Sequence, residues 1–267
     1  MEKNNMSNDI NQDIAKKLVA QTAGKTYDDI VHPTAHATGQ IISFIPRTIK
    51  VWLGKWEKWI LNGEYAIKET EMLLAEKLKH IPEEKIVEPE PYVAVPAIQQ
   101  LSYSLDSEEL RELYANLLAS SMNADTKGDV HPAFVDIIKQ LTPDEAKLLK
   151  ALPLGFSNIP LIDLQINLGQ QRGSITVFSN FTNIGDSVCQ EPQNICAYIE
   201  NLDRLKLISI QEDTHLVNDD LYTPLRTASL IEKKKSFSLS GEQTYDFKKK
   251  SFKVTSFGEL FINICVK

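Results

Sequence analysis

The residues whose spacing most resembles a metal site are His32 and His36, with Asp28 and Asp29 close by. A four-residue step sets two imidazoles on one helix face, where a carboxylate could complete a ligand set. Pro33 interrupts such a helix, and no glutamate stands in the pattern a zinc hydrolase needs beside paired histidines. Capping or packing therefore accounts for them better than metal does. Gly24-Lys25-Thr26 has the ending of a phosphate-binding loop, but that loop needs a glycine five positions before Gly24, where Val19 stands, and a strand ahead of it. An ordinary helix break is the better reading. His131, beside Pro132 and Asp129, reads as a turn and helix start, not a general base. Ser120-Ser121 fall inside a helix, where hydroxyls bond backward to carbonyls, and no nucleophile elbow surrounds any serine. Asp144 and Glu145 are helix-start carboxylates favoured by the helix dipole. Cys189, Cys196 and Cys265 are odd in number and lack a CxxC pair, so reduced, partly buried thiols are expected. No catalytic residue, metal or cofactor is expected.

Two further groups point to contact. Trp52, Trp56 and Trp59 recur at steps of four and three, interleaved with Arg47, Lys50, Lys55 and Lys58. An interfacial membrane helix has that form, and so does a core helix whose lysines reach outward. The core reading is favoured, with Trp52, Trp56, Trp59 and Lys55 kept as candidates for membrane or partner contact. Near the other end, residues 232–253 hold seven lysines against three acids, including Lys233-Lys234-Lys235 and Lys248-Lys249-Lys250. Lys234, Lys235, Lys248 and Lys249 are the candidates for a wing contact. The helix before them carries Glu191, Glu200 and Asp203 against Arg204 and Lys206, a poor surface for a major groove. The formal net charge of −7 also opposes binding to phosphate backbones.

Behind these residues stands a chain of 267 residues, 42% hydrophobic and 24% charged, the balance of a globular protein able to bury a core. The N-terminus is polar, without the apolar centre of a signal peptide, and the most apolar stretch, Ile41 to Leu53, is broken by Ser43, Pro46, Arg47 and Lys50. A cytoplasmic protein is expected, with peripheral membrane association as its variant. Residues 1–13 read as a disordered tail and 14–81 as an N-terminal helical region. The proline- and glutamate-rich run at 82–95 reads as a linker, because closely spaced prolines push their predecessors toward extended backbone. Central helices follow over 96–141, with Pro96 at the first helical position. Asp106 and Glu109 form a capping box for the helix that carries Leu110, Leu113, Tyr114, Leu117 and Leu118. Thr142-Pro143-Asp144-Glu145 repeats the start signal.

From 142 to 267 the pattern becomes mixed. Leu161, Leu164 and Ile166 are strand-like or a short helical turn, and Ile175 to Phe178 and Leu207 to Ile210 read as strands around a helix opened by Pro192. Phe237 to Leu239 and Phe252 to Thr255 are expected to pair as a ribbon before a closing helix over 257–266. The fold class expected is mainly α with a smaller α+β part: an N-terminal helical bundle followed by a winged-helix-like C-terminal domain.

The block from Glu109-Leu110-Arg111-Glu112-Leu113-Tyr114-Ala115-Asn116 through Ser120-Ser121-Met122, then Val130-His131-Pro132-Ala133-Phe134-Val135 and Gln140-Leu141-Thr142-Pro143-Asp144-Glu145-Ala146, resembles the abortive infection alpha (Abi-alpha) family. Asn180-Phe181, Pro192, Tyr198, Asn201-Leu202, Arg204-Leu205 and Thr255-Ser256-Phe257-Gly258 extend the resemblance over roughly residues 25 to 265. The resemblance implies a bacterial phage-defence, antiviral protein that stops phage propagation at the cost of the infected cell, and it supplies no catalytic residues. Expected partners are a protein or phage component, with a homo-oligomer and peripheral membrane contact also carried and nucleic acid less favoured. A winged-helix DNA-binding regulator is the alternative.

Overall fold

A computed structural model of the chain describes residues 47–56, 63–104, 107–155, 157–169, 172–235 and 237–267. The tail at 1–13, Gly24-Lys25-Thr26, His32, His36, Trp59 and Asp106 lie outside the described residues, as does the side chain of Trp56.

Among the described residues six helices lead: α1 (Arg47–Trp56), α2 (Gly63–Leu78), α3 (Pro91–Tyr103), α4 (Glu108–Ser121), α5 (Ala133–Lys139) and α6 (Pro143–Ala151). Helix α4 forms because Leu113, Tyr114, Leu117, Leu118 and Ser121 recur on one stripe, and all are buried. At its start the Ser107 hydroxyl accepts the amide of Leu110, one residue along from the capping box expected of Asp106 and Glu109, the first of which lies outside the described residues. Serine in extended backbone fills the cap position as well as aspartate does, so composition alone could not separate them. Helix α6 has the expected capping box, with Thr142 and Glu145 satisfying each other's amides. Helix α3 starts at Pro91, and Pro96 lies within it. Pro91 takes the first-turn position where a missing amide costs nothing, and Pro96 forgoes the bond to the carbonyl of Tyr92.

The proline- and glutamate-rich run is held to the exit of α4. The amide of Val87 donates to Met122 O at 2.8 Å, Ala124 returns one to Lys85 O at 2.9 Å, and Lys127 Nζ reaches Glu88 O at 2.7 Å.

The mixed part comprises β1 (Ile159–Asn167), β2 (Ser174–Phe181), α7 (Ile195–Arg204), β3 (Ile208–Gln211), α8 (Thr223–Arg226), α9 (Ser229–Lys234), β4 (Thr244–Val254) and α10 (Ser256–Phe261). Helix α10 runs on into a π-helical turn, Ile262–Val266. The strands form one antiparallel sheet of order β2-β1-β4-β3. The ribbon expected between 237–239 and 252–255 is corrected here: β4 is an inner strand, bonded along one edge to β1 and along the other to β3, so no edge is left for a hairpin partner. The architecture is therefore α+β, helices with a four-stranded antiparallel sheet.

One continuous apolar core joins the two parts. Phe261, Ile262, Ile264, Cys265 and Val266 at the chain's end are buried in it, and their backbone is capped by α4. Asn116 Nδ2 donates to Cys265 O and Ser120 Oγ to Ile264 O, so carbonyls that a helix end leaves orphaned find side-chain partners.

Candidate functional site

The start of α6 brings together side chains from α6, the loop before α7, and α7. Asp144, 5% exposed, accepts the amides of Gln190 and Glu191 at 2.8 Å each and the Tyr198 hydroxyl at 3.2 Å, with Lys147 Nζ at 3.5 Å. Glu145, 2% exposed, takes the Thr142 amide on one oxygen and Asn201 Nδ2 on the other, at 2.6 and 2.8 Å. Asn201 Nδ2 also reaches Gln140 O, and Arg204 donates to the Gln140 side chain, both at 3.0 Å. Burial alone would push the Asp144 carboxyl up, but the two amides, the hydroxyl and Lys147 outweigh it and hold it below the usual carboxylate range. A carboxylate so placed stays ionised with its lone pairs occupied. It clamps the 189–191 loop and α7 onto α6, and the tyrosine is held protonated, chiefly by burial.

The three thiols are likewise quiet. Burial raises Cys189, and Cys196 is pushed up to about 12, burial again being the largest cause. Cys265, enclosed in the core, is raised by burial as well. A thiol held protonated is a poor nucleophile and metal ligand.

A second constellation lies in the sheet. Lys250, 2% exposed, places Nζ 2.8 Å from Asp163 Oδ1, 2.5 Å from Asn180 Oδ1 and 3.2 Å from Glu212 Oε1. Asp163 stands opposite Lys248 in the register and Lys250 opposite Leu161, so the pair is a diagonal cross-strand contact on one face. Asp163 also accepts the amide of Asn180, which sits at φ 58°, a left-handed conformation that asparagine tolerates. The charge on Lys250 is thus matched by carboxylates and its donors are used. Sequence reasoning missed this cluster. The available signal was Asp163 itself, an acid inside the apolar run Leu161-Ile162-Asp163-Leu164.

The four lysines singled out in the sequence do not share one ribbon. Lys234 ends α9 and lies over the Phe178 ring at 5.0 Å. Lys235, just beyond that helix, pairs with Glu232 at 2.6 Å and lies over Phe247. Lys248 and Lys249 project from β4 and pair with Glu212 at 2.8 Å and Asp219 at 3.1 Å. Lys55 is exposed and pairs with Glu88 at 3.1 Å, while Trp52 is half-buried against the core beside Ile49 and Leu53. His131 Nδ1 accepts the amide of Ala133 at 3.1 Å, and the ring packs on Phe134 and Phe257, the helix-start role expected of it. Among the described residues no group of three metal-ligating side chains assembles, and no helix is long and apolar enough to cross a membrane.

Comparison with known proteins gives one match. A family model described as abortive infection alpha matches residues 62–265. No curated protein and no solved structure matches the chain.

Proposed function

The chain belongs to the abortive infection alpha family, which supports an abortive-infection role in general, and from that premise we propose that it acts through contact with a protein, a phage component or a host factor, rather than by breaking bonds. The observation that carries the reading is the division of faces on α1. Ile49 and Leu53 are fully buried, whereas Val51, 54% exposed, and Lys55 stand one turn apart on the outward side with Trp52 half-buried between the faces. An exposed apolar side chain beside the Lys55–Glu88 ion pair, on a helix anchored to the core, is a surface fitted to a partner with an apolar centre and a polar rim.

On this reading residues 142–267 are a winged-helix-like scaffold, an idea supported by α7 leading directly into β3 and by β4 returning beside it. The ion-paired and ring-stacked state of Lys234, Lys235, Lys248 and Lys249 weighs against the alternative of duplex binding, because each would first surrender an internal partner.

The test is plaque formation on cells carrying the gene, with dye uptake followed during infection. Replacing Val51 and Lys55 together by glutamate should abolish protection while leaving the melting temperature of the purified protein unchanged. Protection that survives this change but is lost when Lys234, Lys248 and Lys249 become glutamine would transfer the activity to the lysines. Dye entering cells as protection sets in would make the membrane the target.

A further inference from the structure

A cavity of about 300 Å³ opens between the loop after β2 and helices α8 and α9. Pro192, Pro224 and Leu230 give it apolar surface, and Asn183, Asp186 and Lys233 line it with polar groups. Its two charged residues differ from their neighbours. Lys234, Lys235, Lys248 and Lys249 all have partners, but among the described residues neither the Asp186 carboxylate nor the Lys233 ammonium has an ion-pair or hydrogen-bond partner, in each other or elsewhere. Partial desolvation at the cavity raises the Asp186 carboxyl, with no cation to offset it.

We propose that this cavity binds a small zwitterion with an apolar body, the simplest being a free aromatic or branched α-amino acid, its ammonium against Asp186 and its carboxylate against Lys233. The volume lies at the lower end of small-molecule sites, and polar and apolar residues share the lining. A ligand of one charge would satisfy one side chain and leave the other unmatched, whereas a zwitterion answers both and lays its apolar part on Leu230 and the two prolines. The inference stands apart from the contact surface on α1: it concerns another face and other residues.

The test uses the full-length purified protein, with binding followed by calorimetry and by the shift in melting temperature. The probes are L-phenylalanine and L-leucine, against phenethylamine, which lacks the carboxylate, 3-phenylpropionate, which lacks the ammonium, and glycine, which lacks the apolar body. At least one of the two amino acids should bind about tenfold or more tighter than its singly charged analogues, and glycine should leave the melting temperature unmoved. Lys233→Gln should weaken binding of the amino acid while sparing phenethylamine, and Asp186→Asn should weaken it while sparing 3-phenylpropionate. Both variants should melt like the parent without ligand, since both side chains are exposed. Absence of binding by phenylalanine and leucine up to about 10 mM, equal binding by the analogues, or full affinity in both variants would each overturn the proposal.

Discussion

Asn116 Nδ2 donates a hydrogen bond of 2.9 Å to the carbonyl oxygen of Cys265, joining residues 149 positions apart inside the core. The bond ties the central helix α4 to the last turn of the chain. Replacing Asn116 by leucine removes the donor and strands a buried carbonyl, which costs roughly 1 to 3 kcal/mol. Ser120→Ala, acting on the half-buried bond to Ile264 O, should cost less, about 0.5 to 1.5 kcal/mol. Urea unfolding of the two variants measures both. Equal stability of Asn116→Leu and the parent would mean that the terminal turn does not depend on the Asn116 bond.

Asp144 makes stability depend on pH. Its carboxyl is held below its ordinary value of about 3.9, so the folded protein releases this proton more readily than the unfolded chain does. The stabilisation is complete above the unfolded value and disappears as pH falls through the lower folded one. Asp144→Asn can accept only through its single oxygen and sets its carboxamide NH2, a donor, against the donating amide of Gln190 or Glu191. The expected loss is about 2 to 3 kcal/mol at pH 7, from removing charge-assisted bonds. Below about pH 4 the difference between parent and variant should shrink, read from denaturant midpoints across pH. A gap of constant size down to pH 2 would remove the carboxylate's charge from the account.

How legible these elements were in the sequence follows the range of the interactions that make them. The capping box of Thr142 and Glu145 is local, so its spacing could be read directly, and the stripe from Leu113 to Leu118 needs only helical period. The same local reasoning placed the neighbouring cap on Asp106 instead of Ser107, because both types suit the position. The lysine run at 248–250 read as part of an exposed wing, since charge usually faces water. Burial of Lys250 depends on Asp163, a distant residue that only sheet pairing brings within 2.8 Å. The roles of Asp144 and Glu145 were half legible: their place at a helix start was, and their clamping of Tyr198 and Asn201 was not, because it needs the packing of α7 on α6.

The buried pair of Lys250 and Asp163 predicts an asymmetric response to mutation. Lys250→Met leaves the Asp163 carboxylate, 5% exposed, without its cation and should cost about 3 to 5 kcal/mol. Adding Asp163→Leu removes the stranded charge and should restore part of that loss, since apolar groups of similar volume often replace buried pairs without penalty. Recovery should be incomplete because Asp163 also accepts the Asn180 amide. Chemical denaturation of the single and double variants gives the coupling. A double variant no more stable than Lys250→Met would show that the Asn180 bond, not the ion pair, dominates.

Gly258 predicts the sharpest single loss. A Cβ at this position would lie 1.9 Å from the carbonyl oxygen of Leu207, a backbone atom that cannot rotate away. That oxygen already accepts the Thr255 amide at 3.0 Å, and the Thr255 hydroxyl caps α10 through the Gly258 amide while donating to Lys206 O. The close approach is therefore built into the docking of α10 on the turn before β3, and relieving it means pulling the closing helix out of the core. Gly258→Ala should cost more than about 4 kcal/mol or prevent folding, beyond the range of most point changes. Gly128, with open space around it and no left-handed backbone, supplies the control: Gly128→Ala should shift stability by no more than about 0.5 kcal/mol. Soluble yield and thermal melting of the two variants decide the matter, and a Gly258→Ala protein that melts with the parent would place α10 elsewhere than against Leu207.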